Sequence, residues 1–193
     1  MLFGTEPFSS MLRLSNLGWY RYDWVWNKQK AANFLFGNKQ PMKITEAISV
    51  FYQHQPTYNP EKSTRPFGVS RNGGNSVSGR VAEHFGGSQP AEWKSSKTWE
   101  PDKLLPTNIL NFKKPVHPTH PTQKPVDLLA YFIRTYTQPG ELVLDNAAGS
   151  CTTAVACIRT GRRCICIEKE KKYCDIGEMR IRKEQEQQTM LST

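Results

Sequence analysis

Aromatic side chains occupy every second position of residues 20–27. This alternation is typical of a β-strand with one buried face. Residues 2–3 predict the end of another buried strand, and residues 8–17 predict a short helix that Gly18 closes. The amino-terminal part is therefore predicted to be a sheet with a short helix.

The carboxyl-terminal part alternates between helical and strand patterns. Helices are predicted at 126–137, 152–159 and 171–187, and strands at 142–145 and 164–168. Strands that alternate with helices favour a parallel sheet with crossover helices, so the predicted fold class is α/β.

Residues 28–118 are polar and rich in predicted loops. Only residues 31–36 and 47–52 look regular, and from 53 to 120 the chain is dense in Pro, Gly, Ser and Asn. Loops of this length inside a domain are usually functional or disordered. The 193 residues thus suit one domain with a long insertion.

The charge is concentrated in the irregular part. The net charge is +9, and residues 28–80 contain eight basic and two acidic side chains. Such an excess favours a polyanionic partner.

The five cysteines are odd in number and lie between positions 151 and 174. This usage argues against a disulfide framework and predicts a reducing, cytoplasmic location. No apolar run approaches the length of a membrane span, and residues 1–4 lack the features of a signal peptide. Secreted, membrane-spanning and collagen-like classes are therefore excluded.

The strongest motif is a strand that ends in Asp145, a turn of small residues through Gly149, and a helix from Thr152. Small side chains let a ligand approach the backbone, and a helix N-terminus offers free N–H groups. The next strand ends in Glu168, which is placed to accept hydrogen bonds from ribose hydroxyls. Neither a Gly-x-Gly-x-x-Gly nor a Gly-Lys-Thr/Ser motif occurs, which disfavours nicotinamide and nucleoside triphosphate ligands.

Upstream lies His-Pro-Thr-Gln-Lys-Pro at residues 120–125. Together with residues 145–153 it resembles motifs X and I of the permuted (beta-class) DNA N6-adenine/N4-cytosine methyltransferases, which use S-adenosylmethionine. Residues 165–168 resemble motif II. Cys151 replaces the second glycine of motif I, and we expect it to crowd the loop and weaken cofactor binding.

The resemblance covers most of the chain and implies a division into segments. Residues 1–52 resemble the end of the catalytic subdomain, 53–118 occupy the target-recognition position, and 119–187 resemble the cofactor-binding subdomain, followed by a frayed tail at 188–193. The cofactor-binding residues that it implies are Thr122, Lys124, Pro125, Asp145, Ala148, Gly149, Ser150, Thr152, Thr153 and Glu168. No metal ligand is assigned.

The catalytic signature of the family, Asp/Asn/Ser-Pro-Pro-aromatic, does not occur, since none of the 13 prolines is adjacent to another. No catalytic residue is therefore assigned, and the activity of the chain alone is doubtful. The resemblance implies an amino-truncated member with an incomplete Rossmann-like sheet. The strands that flank the missing one would keep unpaired backbone groups or pair directly.

The resemblance implies methyl transfer to a base amine of double-stranded DNA, with a preference for adenine N6, as in phage and restriction–modification enzymes. The alternative is a non-catalytic remnant, or the recognition half of an enzyme whose catalytic motif lies on a separate chain. Candidate DNA-binding residues are Trp26, Lys28, Lys30, Lys43, Arg65, Arg71 and Arg80. Trp24 and Trp26 either line a pocket for a flipped base or belong to the core.

Overall fold

A computed structural model describes residues 1–32, 34–64 and 103–192. The strands are β1 (Leu2–Gly4), β2 (Tyr20–Ala32), β3 (Lys43–Phe51), β4 (Ser63–Thr64), β5 (Lys103–Leu104), β6 (Ile109–Asn111), β7 (Leu142–Asp145) and β8 (Arg163–Cys166). The helices are α1 (Phe8–Ser15), α2 (Val126–Tyr136), α3 (Thr152–Thr160) and α4 (Lys171–Ser192), and Phe34–Phe36 form a 3₁₀ turn.

The chain forms two compact units. The first comprises residues 1–61 and 107–193, and the second comprises residues 62–106. In the second unit, β4 and β5 pair in antiparallel fashion. The first unit thus includes both ends of the segment 53–118, because β6 adds to its main sheet and Asn59 donates to the Arg134 carbonyl at 3.0 Å.

The main sheet has the strand order β1-β3-β2-β6. The pairs β1–β3 and β2–β3 are antiparallel, and β2–β6 is parallel. The predicted alternation in β2 is confirmed, since Trp24 and Trp26 are both buried on one face. They pack with Ile48 and Val50 against α2, so the two tryptophans belong to the core.

The second sheet consists of β7 and β8, which are parallel and joined by α3. The bounds predicted for β7 are those observed. Parallel strands are normally covered on both faces, yet Leu142 and Leu144 are 52% and 64% exposed. One face of this sheet is therefore uncovered in the described structure.

Helix α2 joins the two sheets. One side packs on the main sheet through residues that include Leu128 and Phe132. Its other side places Ala130 and Ile133 against Ala156 of α3. Strand β1 belongs to the main sheet and β7 to the second sheet, and the two strands do not pair with each other. No backbone ladder therefore joins β1 to β7.

Two elements are longer than the sequence predicts. Strand β2 continues past residue 27 to Ala32, and α4 continues to Ser192, so residues 188–192 are helical rather than frayed. All five cysteines are free thiols. Among the described residues, no helix combines the length and apolar character needed to cross a membrane.

Candidate functional site

A cavity of about 750 Å³ lies between β1 and β3 on one side and the loop after β7 on the other. The residues that line it include most of the predicted cofactor-binding set: Thr122, Lys124, Asp145, Ala148, Gly149, Ser150, Thr152 and Thr153. It also includes residues that the sequence analysis did not assign, among them Glu46, His120, Gln123 and Asn146. The structure thus brings most of the predicted set together around one hollow.

The loop from Asp145 to Thr153 is held by the carboxylate at its start. The backbone N–H of Ala147 donates to Asp145 Oδ1 at 3.2 Å, and the Thr153 hydroxyl donates to Asp145 Oδ2. Asp145 therefore closes the turn that leads into α3 while it lines the cavity.

Gly149 lies in this loop beside His120. Its φ is +52°, and an added Cβ would lie 3.4 Å from the His120 ring. The imidazole of His120 in turn stacks edge-on against Tyr173, with ring centroids 4.2 Å apart. A side chain at position 149 would thus be strained by the left-handed backbone, while its Cβ would meet the His120 ring at an ordinary contact distance.

Glu168 is not part of the cavity wall. One carboxylate oxygen accepts the Gly149 N–H at 2.7 Å, and the other accepts the N–H groups of Lys169 and Glu170, both at 2.9 Å. These backbone donors, chiefly that of Glu170, lower the pKa of Glu168. Glu168 therefore holds the loop, and its predicted contact with ribose hydroxyls stays a prediction.

Pro125 also lies outside the cavity wall. It is the buried residue immediately before α2, with φ −61° and ψ 137°. The fixed φ of proline suits this helix entry. Pro125 thus begins the helix, and its predicted part in cofactor binding stays a prediction.

Cys151, which we expected to crowd the loop, does not line the cavity, and its effect on cofactor binding stays a prediction. Cys151 adopts a left-handed conformation, with φ 54° and ψ 39°, immediately before α3. Its side chain is buried toward α4, where a Cβ added to Gly177 would lie 2.5 Å from its sulfur. Burial also raises the pKa of the Cys151 thiol. The missing side chain of Gly177 makes the room that Cys151 needs.

Arg180 of α4 is a loop-holding residue that the sequence analysis missed. Its guanidinium donates to the Ser150 carbonyl at 2.5 Å, to the Ser150 hydroxyl at 2.8 Å and to the Thr152 hydroxyl at 3.0 Å. Burial lowers the pKa of Arg180. No local pattern identifies it, because Arg180 and Ser150 are 30 positions apart.

On the opposite wall, two lysines share one carboxylate. Lys124 donates to Glu46 Oε1, and the Lys28 ammonium lies 3.7 Å from Glu46 Oε2. Lys124 also lies 4.8 Å from the centroid of the Phe3 ring. Burial lowers the pKa of Lys28, and the charge of Glu46 offsets part of this effect. The cluster thus carries one more positive than negative charge beside the cavity.

The DNA-binding set needs a correction. Trp26 is 1% exposed and donates to the Phe112 carbonyl at 2.7 Å, and Lys28 is 6% exposed. Neither side chain is accessible to a phosphate or a base, so both are removed from the set. Lys30 and Lys43 are exposed and stay predictions. Arg65, Arg71 and Arg80 lie outside the described residues.

Metal ligands do not cluster in the described part of the chain, where no group of three or more His, Cys, Asp or Glu residues is suited to hold an ion.

Comparisons with known proteins bear on this fold and loop. The chain is 42% identical over 81 residues to the putative methylase YubD of Escherichia coli (strain K12), covering 42% of this chain and 35% of that protein. It is 46% identical over 67 residues to the type II methyltransferase M2.DpnII of Streptococcus pneumoniae, covering 35% and 25%. It is 38% identical over 82 residues to the DNA adenine methyltransferase YhdJ of Escherichia coli (strain K12), covering 40% of this chain and 28% of that protein. The matches thus span about a third of these relatives or less.

Among solved structures, the M1.HpyAVI–SAM complex superposes with a TM-score of 0.58 at 22% identity, covering 93% of this chain and 72% of that chain. The PvuII DNA methyltransferase (cytosine-N4-specific) superposes with a TM-score of 0.59 at 18% identity, covering 90% of this chain and 55% of that chain. These likenesses show the Rossmann-like α/β fold.

The model of the N6/N4 methyltransferase family, described as DNA methylase, matches residues 4–179. Since this match covers most of the sequence, the chain belongs to the N6/N4 DNA methylase family.

Proposed function

We propose that the cavity binds S-adenosylmethionine and that the chain serves methyl transfer to an exocyclic amine of a DNA base. The observation that carries this proposal is the loop from Asp145 to Thr153, which faces Lys124 across one cavity. Family membership and a structural neighbour described as a SAM complex support it.

The residues present fit this cofactor. The cofactor would occupy the end of the cavity beside the loop from Asp145 to Thr153, and the apolar remainder between β1 and β7 is the space that we propose for an added segment. The Asp145 carboxylate accepts hydrogen bonds from amino or hydroxyl groups, and the Lys124 ammonium neutralises a carboxylate. Ala148 and Gly149 leave room for a ligand near the backbone. When bound, the cofactor supplies an electrophilic methyl group on a sulfonium.

We further propose adenine N6 as the target. One relative is named a DNA adenine methyltransferase, at 38% identity over 82 residues. The structural neighbours include a cytosine-N4-specific enzyme, but at 18% identity that likeness concerns the fold alone.

We also propose that a second polypeptide segment completes the sheet and supplies the Pro-Pro catalytic signature, as the order of sequence motifs in the permuted class implies. The support is the space between the β1 and β7 edges, where the cavity wall is apolar at Leu2, Phe132 and Leu144. An unpaired strand edge beside an apolar wall suits an added strand. Whether that segment lies on the same or a separate chain does not alter the role proposed here.

Cofactor binding is tested by the melting temperature with and without S-adenosylmethionine. We expect the cofactor to raise the melting temperature of the wild type, and Lys124→Met to reduce the rise. Lys169→Met is the matched control, because that side chain is 93% exposed and is not part of the cavity wall. No rise for the wild type contradicts the proposal.

Methyl transfer is tested with labelled S-adenosylmethionine and duplex DNA. The chain alone is expected to transfer no label, and a polypeptide that adds a Pro-Pro-bearing segment is expected to label adenine. Transfer by the chain alone would refute the need for a second segment. Cofactor binding without transfer in either preparation would instead favour the non-catalytic alternative.

A further inference from the structure

The hairpin of β2 and β3 ends in an apolar tip, which we define as residues 34–44. Phe34 and Leu35 are 77% and 79% exposed, and Phe36 and Met42 are each at least half exposed. The tip is held by its own backbone, since the N–H groups of Lys39 and Gln40 donate to the Phe36 carbonyl at 2.8 and 3.0 Å. The apolar side chains thus project from an ordered turn.

Positive charge surrounds these side chains. Lys30, Lys39 and Lys43 are exposed, and the stretch 29–45 contains no acidic residue. Within residues 1–32, 34–64 and 103–192, none of the three pairs with a carboxylate. The tip therefore combines uncompensated cations with apolar groups that water surrounds.

Duplex DNA matches this combination. Lysines gain from phosphates by releasing counterions, and apolar wedges are inserted between base steps by proteins that unstack or kink the duplex. We infer that the hairpin tip is a DNA wedge, in which Phe34, Leu35 and Phe36 pack against bases while the lysines contact phosphates. This inference rests on the proposed function, in which DNA is the substrate.

The same hairpin connects the tip to the cavity. Trp26 pairs with Glu46, which lines the cavity, and Ala32 pairs with Lys43 at the tip. Strand β2 bulges between Asn27 and Ala32, so the three residues of β3 from Glu46 to Lys43 set the separation. They span roughly 10 Å, which is about three base steps of a duplex. A wedge at this distance would unstack DNA beside the site into which a base is extruded, and so lower the cost of extrusion.

The test uses the full chain and two fluorescent duplexes of mixed sequence, one fully paired and one with a single mismatched step. A wedge favours the mismatched duplex, because less stacking is lost there. We expect the change of Phe34, Leu35 and Phe36 together to alanine to weaken binding about ten-fold, as loss of a base contact does, and to abolish the preference for the mismatch.

The matched control changes Met11, Leu14 and Leu17 to alanine. These side chains lie in or just after α1 and are 68%, 68% and 61% exposed, and we expect no effect on DNA binding. Lys39→Ala is expected to lower the slope of log DNA affinity against log salt concentration by about one released counterion. The apolar triple variant is expected to leave this slope unchanged. Melting temperatures check that each variant is folded.

The outcomes separate the two proposals. If the wild type binds neither duplex, DNA as substrate is refuted, and the wedge with it. If the wild type binds but the apolar triple variant binds equally well and keeps the mismatch preference, only the wedge is refuted. Binding through Phe34–Phe36 to phosphatidylserine vesicles, but not to DNA, would also overturn it in favour of a membrane contact.

Discussion

The contact between Cys151 and Gly177 offers a sharp test of how the loop before α3 is supported. A Cβ added at Gly177 would lie 2.5 Å from the Cys151 sulfur and 3.0 Å from its Cβ. Non-bonded carbon and sulfur atoms pack at roughly 3.5–4 Å. Gly177→Ala therefore forces either the loop or α4 to move by about 1 Å, and Cys151 is itself buried.

Two opposing effects decide the magnitude. Replacing glycine by alanine inside a helix such as α4 normally stabilises by about 1 kcal/mol, whereas overpacking a buried site costs about 1–3 kcal/mol. We expect Gly177→Ala to lower the free energy of unfolding by about 1 kcal/mol. Cys151→Gly removes the sulfur and relieves the left-handed backbone, so in that background Gly177→Ala is expected to stabilise by up to about 1 kcal/mol.

The assay is a double-mutant cycle by urea unfolding, followed by circular dichroism. The expected coupling between the two sites is about 2 kcal/mol, and cofactor affinity is expected to fall in Gly177→Ala and recover in the double variant. If Gly177→Ala stabilises equally with cysteine or glycine at position 151, the two residues do not contact each other as described, and the reasoning is refuted.

Three further predictions concern the charged residues. Glu46→Gln leaves buried Lys28 without a counter-charge and is expected to lower the free energy of unfolding by about 3 kcal/mol in urea. Lys28→Met is expected to leave the free energy of unfolding unchanged or to raise it. Equal losses of stability in the two variants would contradict the ion pair between Lys28 and Glu46. Arg180→Ala is expected to lower the free energy of unfolding by about 2 kcal/mol and to weaken cofactor binding. The control Arg182→Ala, which changes an exposed side chain, is expected to alter neither stability nor cofactor binding. Similar effects of the two variants would exclude a loop-holding role for Arg180. Folding lowers the pKa of Glu168 from 4.5. The ionised side chain therefore makes its full contribution to folding stability above pH 4.5, and this contribution is lost as the pH falls through the folded-state pKa. Acid unfolding curves of the wild type should therefore fall more steeply there than those of Glu168→Gln, and parallel curves would refute this.

Local structure followed from the sequence where neighbouring residues dictate it. The bounds of β7 and the start of α3 at Thr152 were predicted, because a short apolar run and a helical pattern are local signals. The loop from Asp145 to Thr153 and its place in the cavity wall were likewise expected.

The sequence by itself determined the α/β class, the cofactor-like loop and the excess of positive charge, since periodicity, small residues and composition need no knowledge of the fold. Only the tertiary structure decided that Lys28 is buried, that Glu168 turns to Gly149, and that Cys151 packs into the space left by Gly177. The physical reason is sequence distance. A repeating pattern shows which side chains share a face, but not which distant element covers that face, and Glu46 meets Lys124 across 78 positions.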